Sequence, residues 1–196
     1  MHKKPFAPAA KENRDVILSV LQQEFKQTKK VLEIGSGTGQ HAAYFSQQLA
    51  HLEWQASDKQ EMLAGICMWL NDLNPDNALP PIELDVNFNW PTQKYDGAYA
   101  ANIAHIMHWN EIEALFTGLD QTLIDSSVFC LYGPFNINGE YTSESNRRFN
   151  QWLIDRDPQS CIRDKQDLDM LALKNNFQTS TEWEMPNNNK ILCWRR

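Results

Sequence analysis

The sequence predicts an α/β fold, a three-layer α-β-α sandwich in which helices cover both faces of a mostly parallel sheet. Three observations predict it: short apolar strands alternate with amphipathic helices, a glycine-rich turn follows the first strand, and a hairpin signal closes the chain. Strands separated by helices pair in parallel through right-handed crossovers, and a terminal hairpin adds an antiparallel strand. We expect a single domain over residues 1–196, because this length suits one hydrophobic core.

The individual elements follow from hydrophobic spacing and turn residues. Apolar residues at helical spacing predict helices over 11–27, 40–49, 60–73, 110–122, 143–155 and 165–175. Short apolar runs predict strands over 31–34, 53–57, 82–84, 95–101, 128–132, 177–184 and 190–194. Runs rich in Gly, Pro and Asn mark the breaks between them, above all at 74–77 and 186–189.

Composition and charge exclude several classes of function. The formal net charge is −7, whereas nucleic-acid binding needs a basic face, so we expect a small-molecule substrate and no nucleic-acid partner. No segment approaches the roughly 20 apolar residues of a membrane helix, and the basic N-terminus lacks the apolar core of a signal peptide. The four cysteines include no Cys-x-x-Cys pair. We therefore expect buried, reduced thiols and a cytoplasmic protein; the oligomeric state stays open.

The turn after the first strand carries the strongest functional signal. Residues 31–41 place Gly35, Gly37 and Gly39 between a buried strand and a helix. Glycine lets the backbone turn tightly and lets a ligand lie against it, and the helix N-terminus that follows offers free N–H groups. One interpretation is a dinucleotide site, because the run from Gly37 to Ala42 satisfies Gly-x-Gly-x-x-Ala in a register two residues late. That register predicts an NAD(P)-dependent oxidoreductase.

Acidic residues beside the next strands favour another cofactor. Asp58 ends the second strand, where a carboxylate accepts hydrogen bonds from ribose hydroxyls. The pattern Glu-x-Gly-x-Gly-x-Gly from Glu33 resembles the first motif of class I S-adenosylmethionine (SAM)-dependent methyltransferases. In that family the glycine loop holds the methionine and ribose parts of SAM, and the acid serves the amino-acid end. Asp85, in a Leu-Asp-Val run, stands where such enzymes hold the adenine amino group.

Further runs extend the resemblance over nearly the whole chain. The strand 95–103 is similar to the fourth methyltransferase motif. Other runs resemble a methyltransferase-like family of unknown function that includes the animal protein methyltransferase-like 26: 6–10, 13–14, 102–109, 131–135, 142–146 and 185–188. The resemblance implies a Rossmann-like fold with a seven-stranded sheet and SAM as the cofactor, with S-adenosylhomocysteine (SAH) as its product. It does not imply a particular methyl acceptor.

The resemblance and the strand-end positions together give the candidate site residues. The candidate cofactor contacts are Asn13, Arg14, Glu33, Gly35, Ser36, Gly37, Gly39, His41, Asp58, Asp85 and Asn102. His105 and His108 are candidate general bases, because histidine titrates near neutrality, although each can equally cap a helix or bond a carbonyl. Tyr132 is a third catalytic candidate at the pocket. The candidate substrate contacts are Trp109, Phe135 and Asn146.

Three functions stay open at this point. The first is methyl transfer from SAM to an unidentified small acceptor, which requires alignment of the acceptor and no covalent nucleophile or metal. The second is a SAM-binding or scaffold module without turnover, and the third is the oxidoreductase. The Asp/Asn-Pro-Pro-Tyr/Phe signature of enzymes that methylate amide or base nitrogens is missing from the sequence, which disfavours glutamine or DNA adenine as the acceptor.

Overall fold

Helices and strands alternate along residues 3–196, the part of the chain that this computed structural model describes. The helices are α1 (Pro8–Glu24), α2 (Gln40–Gln48), α3 (Gln60–Leu73), α4 (Trp109–Thr122), α5 (Glu144–Arg156) and α6 (Lys165–Lys174). The strands are β1 (Lys30–Ile34), β2 (Glu53–Asp58), β3 (Ala78–Glu83), β4 (Tyr95–Ala101), β5 (Leu123–Gly133), β6 (Thr181–Met185) and β7 (Asn189–Arg195). A short 3-10 turn, Pro186–Asn188, joins β6 to β7.

The strands form one sheet in the order β3-β2-β1-β4-β5-β7-β6. Strands β1 to β5 pair in parallel, and β7 lies antiparallel between β5 and β6. The predicted sandwich, with a mostly parallel seven-stranded sheet and an antiparallel C-terminal strand, is confirmed. Strands β1 and β4 lie side by side at the point where the strand order reverses. Ligands of open α/β sheets bind at the carboxyl ends of such strands.

Two apolar clusters cover the two faces of the sheet. Helices α1, α2 and α3 pack on one face, with Phe45 at the centre of its cluster. Helices α4 and α6 pack on the other, around Phe116. Alternating side chains of β1 feed both clusters, since Val31 belongs to the first and Leu32 to the second. By the same alternation, Glu33 points toward the α1–α3 face.

Four elements differ most from the sequence prediction, and one of them is β5, which begins at residue 123 and not at residue 128. Helix α1 begins at Pro8 and ends at Glu24, because proline is tolerated in the first turn of a helix. Strand β3 begins at residue 78 and runs through two prolines; it is an edge strand that pairs only with β2, so the missing N–H groups cost little. Strand β6 begins at residue 181 and not at residue 177.

The structure also shows the burial of the cysteines and the character of the helices. All four cysteines are free thiols. Cys130 and Cys193 are buried and face each other across β5 and β7, with their Sγ atoms 3.5 Å apart. Cys67 and Cys161 are partly exposed, so the expected burial is confirmed for two of the four. Within residues 3–196, no helix combines the length and apolar character needed to cross a membrane.

Candidate functional site

The three glycines after β1 all have a left-handed backbone, with φ of +71° at Gly35, +55° at Gly37 and +86° at Gly39. Their surroundings differ. A Cβ at Gly35 would lie 2.7 Å from the Ile103 side chain, and a Cβ at Gly39 would lie 2.6 Å from the Ile66 backbone. A Cβ at Gly37 would meet nothing within 4 Å. Gly35 and Gly39 therefore permit close packing of the turn, whereas Gly37 presents bare backbone to open space.

Asp58, the last residue of β2, holds this turn from the side. Its Oδ2 accepts a hydrogen bond from the Gly37 N–H at 2.7 Å, and its Oδ1 accepts one from the Lys59 N–H at 2.7 Å. Partial burial raises the pKa of Asp58 even though these two hydrogen bonds act to lower it. Each carboxylate oxygen keeps a free lone pair, so Asp58 can accept further hydrogen bonds from a pair of hydroxyl groups.

Asp85 follows β3 and is the next carboxylate along the sheet edge. It accepts hydrogen bonds of 3.0 Å from the backbone N–H and the side-chain amide of Asn87, and the Lys59 ammonium lies 3.5 Å from its Oδ2. The Asn87 N–H and the Lys59 charge hold the pKa of Asp85 below its usual range. Asp85 is therefore an ionised acceptor, suited to an amino group.

These residues share one cleft of about 470 Å³ at the carboxyl ends of the strands. Five predicted cofactor contacts line it: Gly35, Gly37, Asp58, Asp85 and Asn102. Its apolar walls come from side chains that the sequence analysis did not single out: Met62, Leu84, Val86, Ile103, Ile106 and Met107. Apolar walls with a few placed polar groups are typical of a ligand pocket of this size. A depression of about 610 Å³ at the opposite end of the sheet contains none of the predicted site residues.

Glu33 and Ser36 lie beneath the cleft and do not line it. Glu33 is 2% exposed, and its Oε2 accepts a hydrogen bond from the Trp54 indole N–H at 2.8 Å. Burial raises the pKa of Glu33 to about 7, against the lowering effect of the hydrogen bonds from Trp54 and Ser36. The hydroxyl of Ser36 also accepts a hydrogen bond from the Ser57 N–H at 3.2 Å. Both residues support the glycine turn from below.

His41 belongs to a buried network between α1 and α2. Its Nε2 lies 2.8 Å from the Asn13 Oδ1 and 3.1 Å from the Ala10 carbonyl, and its Nδ1 lies 3.3 Å from the Tyr99 hydroxyl. Burial lowers the pKa of His41 to about 4, so the ring is neutral. Two acceptors face Nε2, which assigns the proton to that nitrogen. His41, a predicted cofactor contact, ties α1 to α2 and lies outside the cleft.

Arg14, also a predicted cofactor contact, faces away from the cleft. Its guanidinium stacks 4.3 Å above the Tyr44 ring and lies 3.6 Å from the Asp15 carboxylate. The stripe of α1 that faces the sheet edge runs through Ala9, Asn13 and Val16. Helical spacing places position 14 roughly opposite that stripe, which is why the structure brings Asn13 to the site and leaves Arg14 outside it.

A second cavity, of about 190 Å³, adjoins the cleft. Asn102 lines both cavities and forms their shared wall. Its φ is +59°, a conformation that asparagine tolerates better than most residues. Tyr132 also lines the second cavity, and burial raises its pKa, so the phenol stays protonated at neutral pH and can donate a hydrogen bond. The remaining polar side chains come from α1 and from the turn before β7: Glu12, Asn13, Asn187 and Asn189.

The two candidate bases line neither cavity. His105 is 8% exposed, and burial together with the Arg163 charge lowers its pKa to about 4. Its ring packs edge-on against Phe149 at 5.2 Å, and its Nδ1 has no hydrogen-bond partner among residues 3–196. His108 precedes α4, and its Nε2 lies 2.7 Å from the Asp157 carboxylate. Neither histidine is therefore placed to exchange a proton directly with a ligand in either cavity.

The three predicted substrate contacts lie in three different environments. Trp109 is 37% exposed at the start of α4. Phe135 is 1% exposed and packs in the core, because the chain re-enters the core after the Gly-Pro turn. Asn146 is buried, and its amide donates to the Thr142 hydroxyl at 2.9 Å and to the Asn188 carbonyl at 3.1 Å. Asn146 does not line the second cavity; it acts there only indirectly, by a hydrogen bond to the turn Pro186–Asn188.

Comparison with known proteins gives the family of the chain and solved structures with a similar fold. The family described as "Protein of unknown function (DUF938)" matches residues 4–196. The chain belongs to this family. Similar solved structures include an O-methyltransferase family 2 protein from Planctomyces limnophilus in complex with apigenin, with a TM-score of 0.84 and 10% identity over 96% of this chain and 58% of that one. The S-adenosylmethionine-dependent methyltransferase SibL, in its apo form, has a TM-score of 0.82 and 13% identity over 96% of this chain and 55% of that one.

Human N-acetylserotonin methyltransferase in complex with SAM is also similar, with a TM-score of 0.73 and 12% identity over 93% of this chain and 55% of that one. The chain therefore spans little more than half the length of these proteins. At such identities the likeness shows the fold alone. That fold is the Rossmann-like methyltransferase fold, as the sequence predicted.

Proposed function

We propose that this protein transfers a methyl group from SAM to a small acceptor molecule. The observation that carries the proposal is the cleft, in which the bare backbone at Gly37 lies beside the Asp58 carboxylate, with Asp85 farther along the same sheet edge. SAM supplies a methyl group on a positively charged sulfur, which is electrophilic without further activation. The fold of this chain is also that of SAM-dependent methyltransferases.

The residues present fit this cofactor. In the proposed arrangement Asp58 accepts hydrogen bonds from the ribose hydroxyls, and Asp85 accepts one from the adenine amino group. Gly37 has no Cβ in the space that the ribose and methionine parts would need. Apolar side chains such as Leu84 and Ile103 provide walls for a flat base. No phosphate is involved, which agrees with a cleft lined by four carboxylates and a single lysine, Lys59; the carboxylates are those of Asp58, Glu61, Asp85 and Glu111.

Orientation is the main contribution that the protein makes to catalysis in this proposal. Holding two reactants in line can lower a barrier by roughly 7–11 kcal/mol in favourable systems. Asn102 stands at the wall between the two cavities, where it can position an acceptor atom. Tyr132 offers a neutral phenol that donates a hydrogen bond. The acceptor would form the new bond to carbon with its own lone pair while the sulfur–methyl bond breaks and its electron pair stays on the sulfur of SAH; any proton that the acceptor loses would pass to solvent.

A pair of aspartate variants tests the proposed cofactor site. Asp58 and Asp96 each accept hydrogen bonds from two backbone N–H groups, but Asp96 does so at the far end of the sheet, from Lys29 and Lys30. Replacing either by alanine leaves N–H groups unpaired, at a cost of about 1–3 kcal/mol in stability. Calorimetric titration with SAH should show at least a tenfold weaker Kd for Asp58→Ala and little change for Asp96→Ala. Equal affinities of the two variants would contradict the assignment.

The alternatives have less support. In the dinucleotide register Gly39 would face a diphosphate, yet the Ile66 backbone fills the space beside the Cβ position of Gly39. The antiparallel strand β7 is a second observation that disfavours the oxidoreductase. No contact within the described residues, 3–196, favours a SAM-binding module without turnover. Incubation with methyl-labelled SAM and cell metabolites tests for such a module, because only an enzyme transfers the label. We further infer a cytoplasmic location from the four free thiols, and no nucleic-acid partner from the net charge of −7.

A further inference from the structure

The second cavity has an unusual balance of charge for a binding site. Among residues 3–196, Glu12 provides the only charged side chain that lines it, and no lysine or arginine contributes to the lining. Four amide side chains, those of Asn13, Asn102, Asn187 and Asn189, and the Tyr132 hydroxyl supply its neutral polar groups. The neutral groups can both donate and accept hydrogen bonds, so the charge decides: one negative and no positive side chain favours a cation over an anion.

We propose that this cavity is the methyl-acceptor site and that the acceptor carries an amino group, which is bound as an ammonium ion beside Glu12 while a different atom of the acceptor, one with a free lone pair, receives the methyl group. The inference rests on the proposed methyl transfer, which it deepens by naming a substrate class. Carboxylates and phosphates are disfavoured as the recognised group, because the Glu12 carboxylate repels an anion and no cation lines the cavity to pair with it.

The position of Asn102 connects this cavity to the transfer reaction. Asn102 is the shared wall of the cleft and the cavity, so an acceptor bound in the cavity lies next to whatever occupies the cleft. Its backbone is left-handed, and its N–H is fixed by a 2.8 Å hydrogen bond to the Tyr132 carbonyl. The side-chain amide makes no hydrogen bond within residues 3–196 and is free to bind the acceptor.

The far wall of the cavity is held in place before any ligand binds. The turn Pro186–Asn188 carries two left-handed residues, Asn187 and Asn188. The Asn146 amide donates to the Asn188 carbonyl at 3.1 Å, and the Asn188 amide donates to the Ser145 hydroxyl at 3.3 Å. Because α5 fixes this turn, the cavity keeps its shape, and preorganisation of that kind raises affinity.

Nearby cations are not available to bind an anion in this cavity. The Lys190 ammonium, which follows the turn, is buried and paired with Glu184 and with Glu182. Arg147, on α5, is bound to Glu144 at 2.7 Å. Glu12, in contrast, forms no ion pair with any residue that the structure describes. The charge at this edge therefore remains negative.

The volume limits the size of the acceptor. A cavity of about 190 Å³ has room for about six water molecules at roughly 30 Å³ each. Only a small amine, or the amine-bearing end of a larger molecule, fits. The amino-acid end of the cofactor is the rival occupant, because it also carries an ammonium group, and the experiment must distinguish the two.

The test uses three probes of one shape and different charge, benzylamine, benzyl alcohol and benzoate, titrated into the full chain saturated with SAH. Side-chain amide signals in ¹H–¹⁵N NMR report binding at the cavity, and Glu113, an exposed glutamate of α4, provides the control variant. We expect benzylamine to shift the Asn13 and Asn102 amides and to bind at least tenfold more tightly than benzoate. Glu12→Gln should weaken benzylamine about two- to fivefold, as an exposed charge pair predicts, and Glu113→Gln should not.

Three results would overturn the proposal: benzoate binding as tightly as benzylamine, no effect of Glu12→Gln, or loss of benzylamine binding when SAH is present. The last result would assign the cavity to the amino-acid end of the cofactor. Failure of the proposed function is a separate outcome, because it appears as no SAH binding to the wild-type chain. In that case the same titrations without SAH still show whether the cavity selects an amine.

Discussion

Replacement of Gly37 by alanine separates its role in ligand binding from its role in folding. Gly37 has a φ of +55°, and an added Cβ would touch no protein atom within 4 Å. A left-handed alanine costs about 1–2 kcal/mol, which for a protein of this size lowers Tm by about 2–8 °C. We expect no further loss of stability. We do expect a loss of SAH affinity of at least tenfold, or about 1.4 kcal/mol, because the methyl group enters the cleft.

Gly139 is a closely matched control. Its φ is +79°, its Cβ position is also open, and its N–H donates to the Asp164 carboxylate as the Gly37 N–H donates to Asp58. Gly139→Ala should therefore lower Tm by a similar amount and leave SAH binding unchanged. Thermal unfolding followed by circular dichroism and calorimetric titration with SAH measure the two effects. An SAH Kd for Gly37→Ala within twofold of that for Gly139→Ala would refute the claim that Gly37 faces a cofactor.

Two further predictions concern stability. Gly39→Ala should lower the free energy of unfolding in urea by at least 2 kcal/mol more than Gly37→Ala, because the Cβ at position 39 would lie 2.6 Å from the Ile66 backbone. Similar losses in the two variants would contradict the packing of the turn. Burial raises the pKa of Glu33 from 4.5 to about 7. Between these two pH values the folded chain keeps a proton that the unfolded chain has lost. The free energy of unfolding therefore falls as the pH rises from 4.5 to 7 and levels off above pH 7. Glu33→Gln should remove that fall, so the free energy of unfolding of the variant should gain about 1.4 kcal/mol per pH unit relative to the wild type across this range. Parallel curves of unfolding free energy against pH for the two proteins would contradict the raised pKa.

The fold was predictable because its signals are local. Apolar spacing and glycine or proline breaks fix where strands and helices lie, and the βαβ rule fixes their pairing. The boundary errors arose where sheet position overrides propensity. Strand β3 contains Pro80 and Pro81, which predict a break from sequence, yet an edge strand tolerates them.

The polar part of the site was predictable for a related reason. Asp58, Asp85 and Asn102 each follow a strand, and the carboxyl ends of parallel strands meet at one edge of the sheet. The sequence position of each residue is thus enough to place it at the cleft. The apolar walls of the cleft carry no such mark, because a wall residue and a core residue have the same composition.

The predicted site residues that lie outside the cleft do so for a shared physical reason. Whether a side chain faces the cleft depends on the rotation of its helix or on the path of a turn, which packing decides. Arg14 turns away on α1, and Phe135 returns to the core after a Gly-Pro turn. His41 was predicted from its place after the glycines, but the first turn of α2 points it toward α1.

Calorimetric titration of the wild-type chain tests the central claim most directly. The titrants are SAM, SAH, NADH and NADPH, each added to folded protein under the same conditions. We predict one site for SAM and SAH with a Kd in the micromolar range, roughly −8 kcal/mol, and no heat from either dinucleotide. Saturable binding of NADH or NADPH, or no binding of SAM and SAH by the folded chain, would contradict the assignment of this cleft to SAM.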